Sequence, residues 1–168
     1  MARRSIGVAL GIGLFASGCI TVELPGFARG PFEETVVDGE DGPKILMLEL
    51  SGMLTTTPEE SSFGLGRRES QTARLREQID LALEDEEIAA LLLRIDSPGG
   101  TVIASDILHR EVRRWKRESG RPVVAQLMGA GTSGAYYVAM AADEVRAYPT
   151  TVTGSIGVII AGLNLSGL

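Results

Sequence analysis

Ala89–Thr101 reads AALLLRIDSPGGT and Val123–Ala142 reads VVAQLMGAGTSGAYYVAMAA. In each, an aliphatic run of strand length flows straight into glycines. Ala89–Ile95 predicts a buried strand, ended by Asp96-Ser97-Pro98-Gly99-Gly100. Val123–Leu127 predicts a second, followed by a tight turn over Gly129–Ser133 and a helix over Gly134–Ala142.

Outward from these stretches the same alternation continues. Lys44–Leu50 (KILMLEL) lies between Gly42-Pro43 and Ser51-Gly52 and predicts a buried strand. Thr55–Arg68 is polar and glycine-bearing, hence a loop. Ser70–Leu83 spaces Leu75, Ile79 and Leu83 along one helical face. Ser105–Glu118 predicts a helix with Leu108, Val112 and Trp115 on its inner side, stopped by Gly120-Arg121-Pro122. Glu144–Ala147 and Ser155–Ile160 supply two more short strands. Strands alternating with helices predict an α/β fold with a mostly parallel sheet covered by helices. In such sheets ligands sit at the carboxyl ends of strands, where both glycine-rich motifs fall.

The 168 residues suffice for one domain with a buried core. With 44% apolar and only 5% aromatic residues, that core is aliphatic. The net charge of -6, with no basic patch beyond Arg110–Arg117, excludes a nucleic-acid partner. No fixed-period repeat and no metal-ligand spacing occurs, and no cofactor is expected. A single cysteine, Cys19, excludes an intramolecular disulfide.

The N-terminus reads as an address. Arg3 and Arg4 precede an apolar stretch, Ser5–Phe15, and small residues Ala16-Ser17-Gly18 lead to Cys19. This pattern resembles a bacterial lipobox, which implies that residues 1–18 are a lipoprotein signal peptide and that Cys19 is lipidated. The competing interpretation is an uncleaved anchor over Ser5–Val22, at the short end of the roughly 20 residues that span a bilayer. Residues 19–43, rich in proline and glycine and without a period, read as a linker.

Two motifs carry chemistry. In Gly129-Ala130-Gly131-Thr132-Ser133-Gly134, a serine among small residues between a strand and a helix can expose its hydroxyl. The Gly134 amide then opens a helix N-terminus suited to an oxyanion. Such a serine can equally be a structural cap. In Asp96-Ser97-Pro98-Gly99-Gly100, two glycines can turn backbone amides outward, or simply make a tight turn.

Together with Thr153-Gly154-Ser155-Ile156-Gly157-Val158, and with Ser133-Gly134-Ala135-Tyr136-Tyr137 running on to Asp143, these motifs resemble the signal peptide peptidase family. These are serine–lysine proteases on the fold shared by Clp protease and crotonase. The resemblance implies a peptidase domain over residues 44–168, incomplete at its C-terminus. It implies Ser133 as nucleophile, Gly100 and Gly134 as oxyanion donors, and Ser155 as the serine that orients the base. It further implies peptide substrates, a homo-oligomer, and a location in the bacterial envelope, held to the membrane by the lipid and facing the periplasm or exterior. Thr132 and Ala135 stand where the family pattern has alanine and glycine.

A serine needs a base. In this family a buried neutral lysine serves, yet the chain holds only Lys44 and Lys116. Lys44 sits at the linker junction and Lys116 in an arginine-rich helix, and both are expected to be solvated. His109 is expected at a surface or rim, and Asp96 and Asp143 at strand and helix ends. Three explanations stay open: a truncated frame (the favoured one), a base from another chain, or a noncatalytic relative. The alternative function is a lipoprotein that binds peptides or a partner subunit on the same fold. A crotonase-type acyl-CoA enzyme is a third possibility, without support from the serine at 133.

Overall fold

The computed structural model describes residues 32–39, 42–60, 67–160 and 162. The signal and lipidation readings over residues 1–31, Cys19 included, lie outside them. Ten elements follow in order: β1 (Lys44–Leu54), β2 (Glu59–Glu60), β3 (Arg67–Arg68), α1 (Gln71–Glu84), β4 (Ile88–Gly100), α2 (Val102–Ser119), β5 (Val123–Thr132), α3 (Gly134–Ala139), β6 (Glu144–Ala147) and β7 (Val152–Gly154).

The main sheet runs β1-β4-β5-β6, every pair parallel, and β7 continues the line of β6 along the end of β5. Parallel pairing follows from the α1 and α2 crossovers, which return each strand in the same direction. The α/β fold with a mostly parallel sheet is therefore as the sequence predicts. Alternate strand residues Leu48 and Leu50, Leu91, Leu93 and Ile95, and Val123, Ala125 and Leu127 are buried. They pack with Leu75 and Ile79 of α1, with Leu108, Val112 and Trp115 of α2, and with Val138 of α3. Trp115 is fully buried, which its place on the inner stripe of α2 anticipates.

Helix ends obey local chemistry. Ser70 caps α1 by accepting from the Ala73 amide at 3.3 Å, and Thr101 caps α2 by accepting from Ala104 at 3.3 Å. Gly120 closes α2 in the left-handed conformation (φ 68).

Several boundaries differ from expectation. The strand expected to end at Ile95 runs to Gly100, so Ser97–Gly100 is extended chain and not a tight turn. It stays extended because Met53 and Leu54 of β1 pair with Gly99 and Gly100. The turn expected over Gly129–Ser133 is likewise strand as far as Thr132, held by Ser97 on one side and Val152–Gly154 on the other. The third helix is shorter than expected and ends at Ala139. The strand expected over Ser155–Ile160 is instead Val152–Gly154, because the free edge of β5 ends at Thr132. Beyond it Gly154 (φ 89) and Ser155 (φ 52) turn the chain away, and Ile156–Ile160 is exposed. Within the expected loop Thr55–Arg68, β2 and β3 pair antiparallel.

Candidate active site

β4 and β5 are adjacent and parallel, so their carboxyl ends deliver Ser97–Gly100 and Thr132–Gly134 side by side. The approach is close enough to explain the glycines. A Cβ on Gly99 would stand 2.7 Å from the Gly134 nitrogen, 2.9 Å from the Thr132 oxygen and 3.0 Å from the Ser133 Cβ. Gly99 also has φ +96, a conformation that side chains resist. A Cβ on Gly100 would collide with the backbone of Leu54, and one on Gly134 with Oγ of Ser105. The same position on Gly134 lies 3.5 Å from the Gly100 nitrogen. The expected donors are thus neighbours, at a close approach where neither residue has room for a Cβ.

Ser133 links β5 to α3 with φ 52 and ψ -123, outside the regions ordinarily open to a serine. Its side chain makes no capping bond to the helix, so a structural cap is not its role. Its amide donates to the Gly154 carbonyl at 2.7 Å, which keeps the strained turn in place. Gly134 heads the helix, where the first N–H groups have no intrahelical acceptor. A hydroxyl released from capping, beside backbone N–H groups at a helix start, is an arrangement that can attack a carbonyl and hold the oxyanion that forms.

Ser155 follows Gly154 directly and is brought to the same end of the sheet. It is exposed and also carries φ 52. No hydrogen bond joins its side chain to Ser133 among the described residues.

The two lysines lie elsewhere. Lys44 starts β1, at the opposite end of the sheet, and is ion-paired with Asp85 at 2.9 Å, Glu87 at 3.1 Å and Glu34 at 3.3 Å. These carboxylates push its pKa up, Asp85 most strongly, so its amine stays protonated. Lys116 pairs with Asp143 at 2.7 Å, and Asp143 also accepts from the Val123 amide at 2.8 Å, at the start of β5. The Lys116 bond, then the Val123 amide, hold the Asp143 carboxyl below its usual range. Ten strand residues separate that point from Ser133, roughly 30 Å. Neither lysine reaches the serine.

Asp96, expected at a strand end, lies within β4 four residues before its end and accepts from the Ala130 amide at 2.9 Å. Asp143, expected at a helix end, lies beyond α3 just before β6. His109 is half-buried on α2 and stacks on Tyr137, with ring centroids 4.5 Å apart. Burial, then the charge of Arg113, pushes its pKa down. A cleft of about 260 Å³ between β1 and α1 is lined by residues including Ser51, Gly52, Gln71 and Arg74, and includes neither Ser133 nor Gly100. Among the described residues, no group of acidic, histidine or cysteine side chains could hold a metal, and no helix is long and apolar enough to cross a membrane.

The expected set omits Ser97, Gly99, Ser105 and Thr132. Ser97 had a legible signal: it continues the inward alternation of Leu91, Leu93 and Ile95, so its hydroxyl is buried and must find partners. Its Oγ donates to the Gly52 carbonyl at 2.6 Å and accepts from the Gly99 amide at 3.0 Å.

Proteases are among the known proteins that this chain is similar to. Residues 115–168 match the model of Peptidase family S49. A protein from Enterococcus faecium that carries the name of signal peptide peptidase SppA is 34% identical over 81% of this chain and 39% of its own length. Protease 4 of Salmonella typhi is 41% identical over 48% of this chain and 13% of its own. The chain thus spans well under half the length of these relatives. Among solved structures, a mutant of the 1510-N membrane-bound stomatin-specific protease superposes with a TM-score of 0.56 at 15% identity, over 76% of this chain and 55% of that one, which shows a common fold.

Proposed function

Because the chain is a relative of the signal peptide peptidases of peptidase family S49, we propose that it is a serine endopeptidase of the bacterial envelope. Its substrates are released signal peptides or other membrane-associated peptides. The observation that carries this is the contact of Gly99–Gly100 with the strained Ser133–Gly134 turn, where no Cβ fits.

In the reaction, Oγ of Ser133 bonds to the scissile carbonyl carbon and its proton passes to a base. The carbonyl oxygen becomes an oxyanion between the amides of Gly100 and Gly134. Collapse breaks the C–N bond, the leaving amine takes the proton, and water then hydrolyses the ester on Ser133. One oxyanion donor is worth about 3 kcal/mol in such chemistry. The base is a neutral lysine amine from outside these 168 residues, since Lys44 and Lys116 are both ion-paired at the far end of the sheet. Ser155 orients that amine. Lipid on Cys19 holds the domain at the membrane, and subunits assemble as a homo-oligomer.

A second function has its own support in those occupied lysines: a noncatalytic lipoprotein that binds peptides or a partner subunit on the same surface. Incubating the purified chain with a synthetic signal peptide and propylamine, a free base, separates the two. Fragments and an acyl group on Ser133, both absent in Ser133→Ala, support the peptidase. A peptide that binds and stays whole, with Ser133 unmodified, supports the binding protein.

A further inference from the structure

Between Ser97 and Gly100 the ladder that joins β4 to β5 loses its ordinary means of support. Ser97 pairs with Gly131, but the next residue, Pro98, has no N–H to give. Two hydroxyls stand where the backbone cannot serve. Oγ1 of Thr132, the residue just before the nucleophile, donates to the Pro98 carbonyl at 3.0 Å. Oγ of Ser97, fully buried, accepts from the Gly99 amide at 3.0 Å and donates to the Gly52 carbonyl at 2.6 Å. Gly99 is thereby held at φ +96 against Ser133 and Gly134, and Gly100 follows it in the chain.

We propose that Thr132 and Ser97 are positioning residues whose hydroxyls lock the Pro98–Gly99 segment to the Ser133 turn, and so set the spacing of the Gly100 and Gly134 amides. Alanine at 132 could not make the Pro98 contact, so the threonine gives this chain a tie of its own. The inference rests on the peptidase function proposed above. A displacement of about 1 Å in a group that acts on the transition state costs up to about 100-fold in rate without a matching loss of binding. The two hydroxyls therefore bear on the chemical step and not on encounter with the substrate.

The test is the kinetics of phosphonylation of Ser133 by a fluorophosphonate, with added propylamine, resolved into probe affinity and maximal rate. Thr132→Val keeps the shape and β-branching of the side chain and removes the hydroxyl. It is expected to lower the maximal rate about 10-fold with probe affinity within about 2-fold of the parent. Thr132→Ser, which keeps the donor, is expected to restore the rate. Ser97→Ala is expected to act in the same sense, and Thr132→Val, at a half-exposed site, decides the matter where Ser97→Ala fails to fold. A parent chain that is labelled while Thr132→Val reacts at an unchanged rate overturns this inference and leaves the peptidase intact. Equal losses in Thr132→Val and Thr132→Ser overturn it as well. A folded parent chain that is never labelled overturns the peptidase function, and the inference with it.

Discussion

The amide of Ser133 donates to the carbonyl of Gly154 across 2.7 Å. This bond joins two residues that lie 21 positions apart in the chain. It extends the β5–β7 pairing by one step beyond Thr132 and fixes the serine at φ 52. Ser155, next in sequence after Gly154, is delivered to the same end of the sheet. The Thr153 hydroxyl reinforces the pairing by donating to the Gly131 carbonyl at 3.0 Å. The strained backbone at Ser133 is thus held from both sides, by the neighbouring strand through its amide and by α3 through its carbonyl, which accepts from the Tyr137 amide at 3.0 Å.

Gly154→Ala tests that support. Position 154 has open space for a methyl group but φ +89, so the cost is conformational alone, about 1–2 kcal/mol. Gly157→Ala, also in open space and without a positive φ, is expected to be neutral. Denaturant titration of both variants checks the difference. Equal stabilities would show that the Gly154 geometry is not required.

Gly134→Ala places a methyl group against Oγ of Ser105, which is buried and bonded to the Thr101 carbonyl at 2.9 Å. Overpacking of this kind costs about 1–3 kcal/mol. Adding Ser105→Ala removes the clashing oxygen, and the double variant is expected to be more stable than Gly134→Ala alone. Thermal unfolding of the single and double variants reads this out directly. Additive losses would mean that the two residues do not meet.

His109 makes stability depend on pH. Its folded pKa lies below the unfolded value, because burial, and then Arg113 and Arg110, disfavour its charge, while Asp106 opposes them. Its contribution is therefore complete above about pH 6.5 and is lost as pH falls below that, where the unfolded chain takes up a proton first. His109→Gln is expected to flatten the stability profile below about pH 6.5. A profile with the same slope in the variant would assign that dependence to other groups.

Much of this architecture was readable without coordinates. The aliphatic runs in β1, β4 and β5 and the apolar stripe of α2 each have one period and one burial, so their identity follows from pattern alone. The Gly129–Gly134 motif was readable as a strand-to-helix junction because its small residues have a steric purpose there, while the role of Ser133 came from the family resemblance alone. What misled was glycine. Ser97–Gly100 and Gly129–Thr132 look like turns, since glycine usually marks them, but here glycine permits close packing of extended chains. The apolar run Ser155–Ile160 has strand composition and no strand, because pairing depends on a free edge of β5 that composition cannot reveal. The hydroxyl ties of Ser97 and Thr132 were hidden for a related reason. Each depends on a partner carbonyl from a distant segment, at Gly52 and Pro98.

The most direct measurement is peptide mapping by mass spectrometry after treatment with a fluorophosphonate near pH 9, with and without propylamine. A single adduct on Ser133 is predicted, faster with the amine because a free base then takes the hydroxyl proton, and absent from Ser133→Ala. A folded chain with Ser133 unmodified under both conditions, or modified no faster than its other serines, would contradict a nucleophile set beside an oxyanion hole.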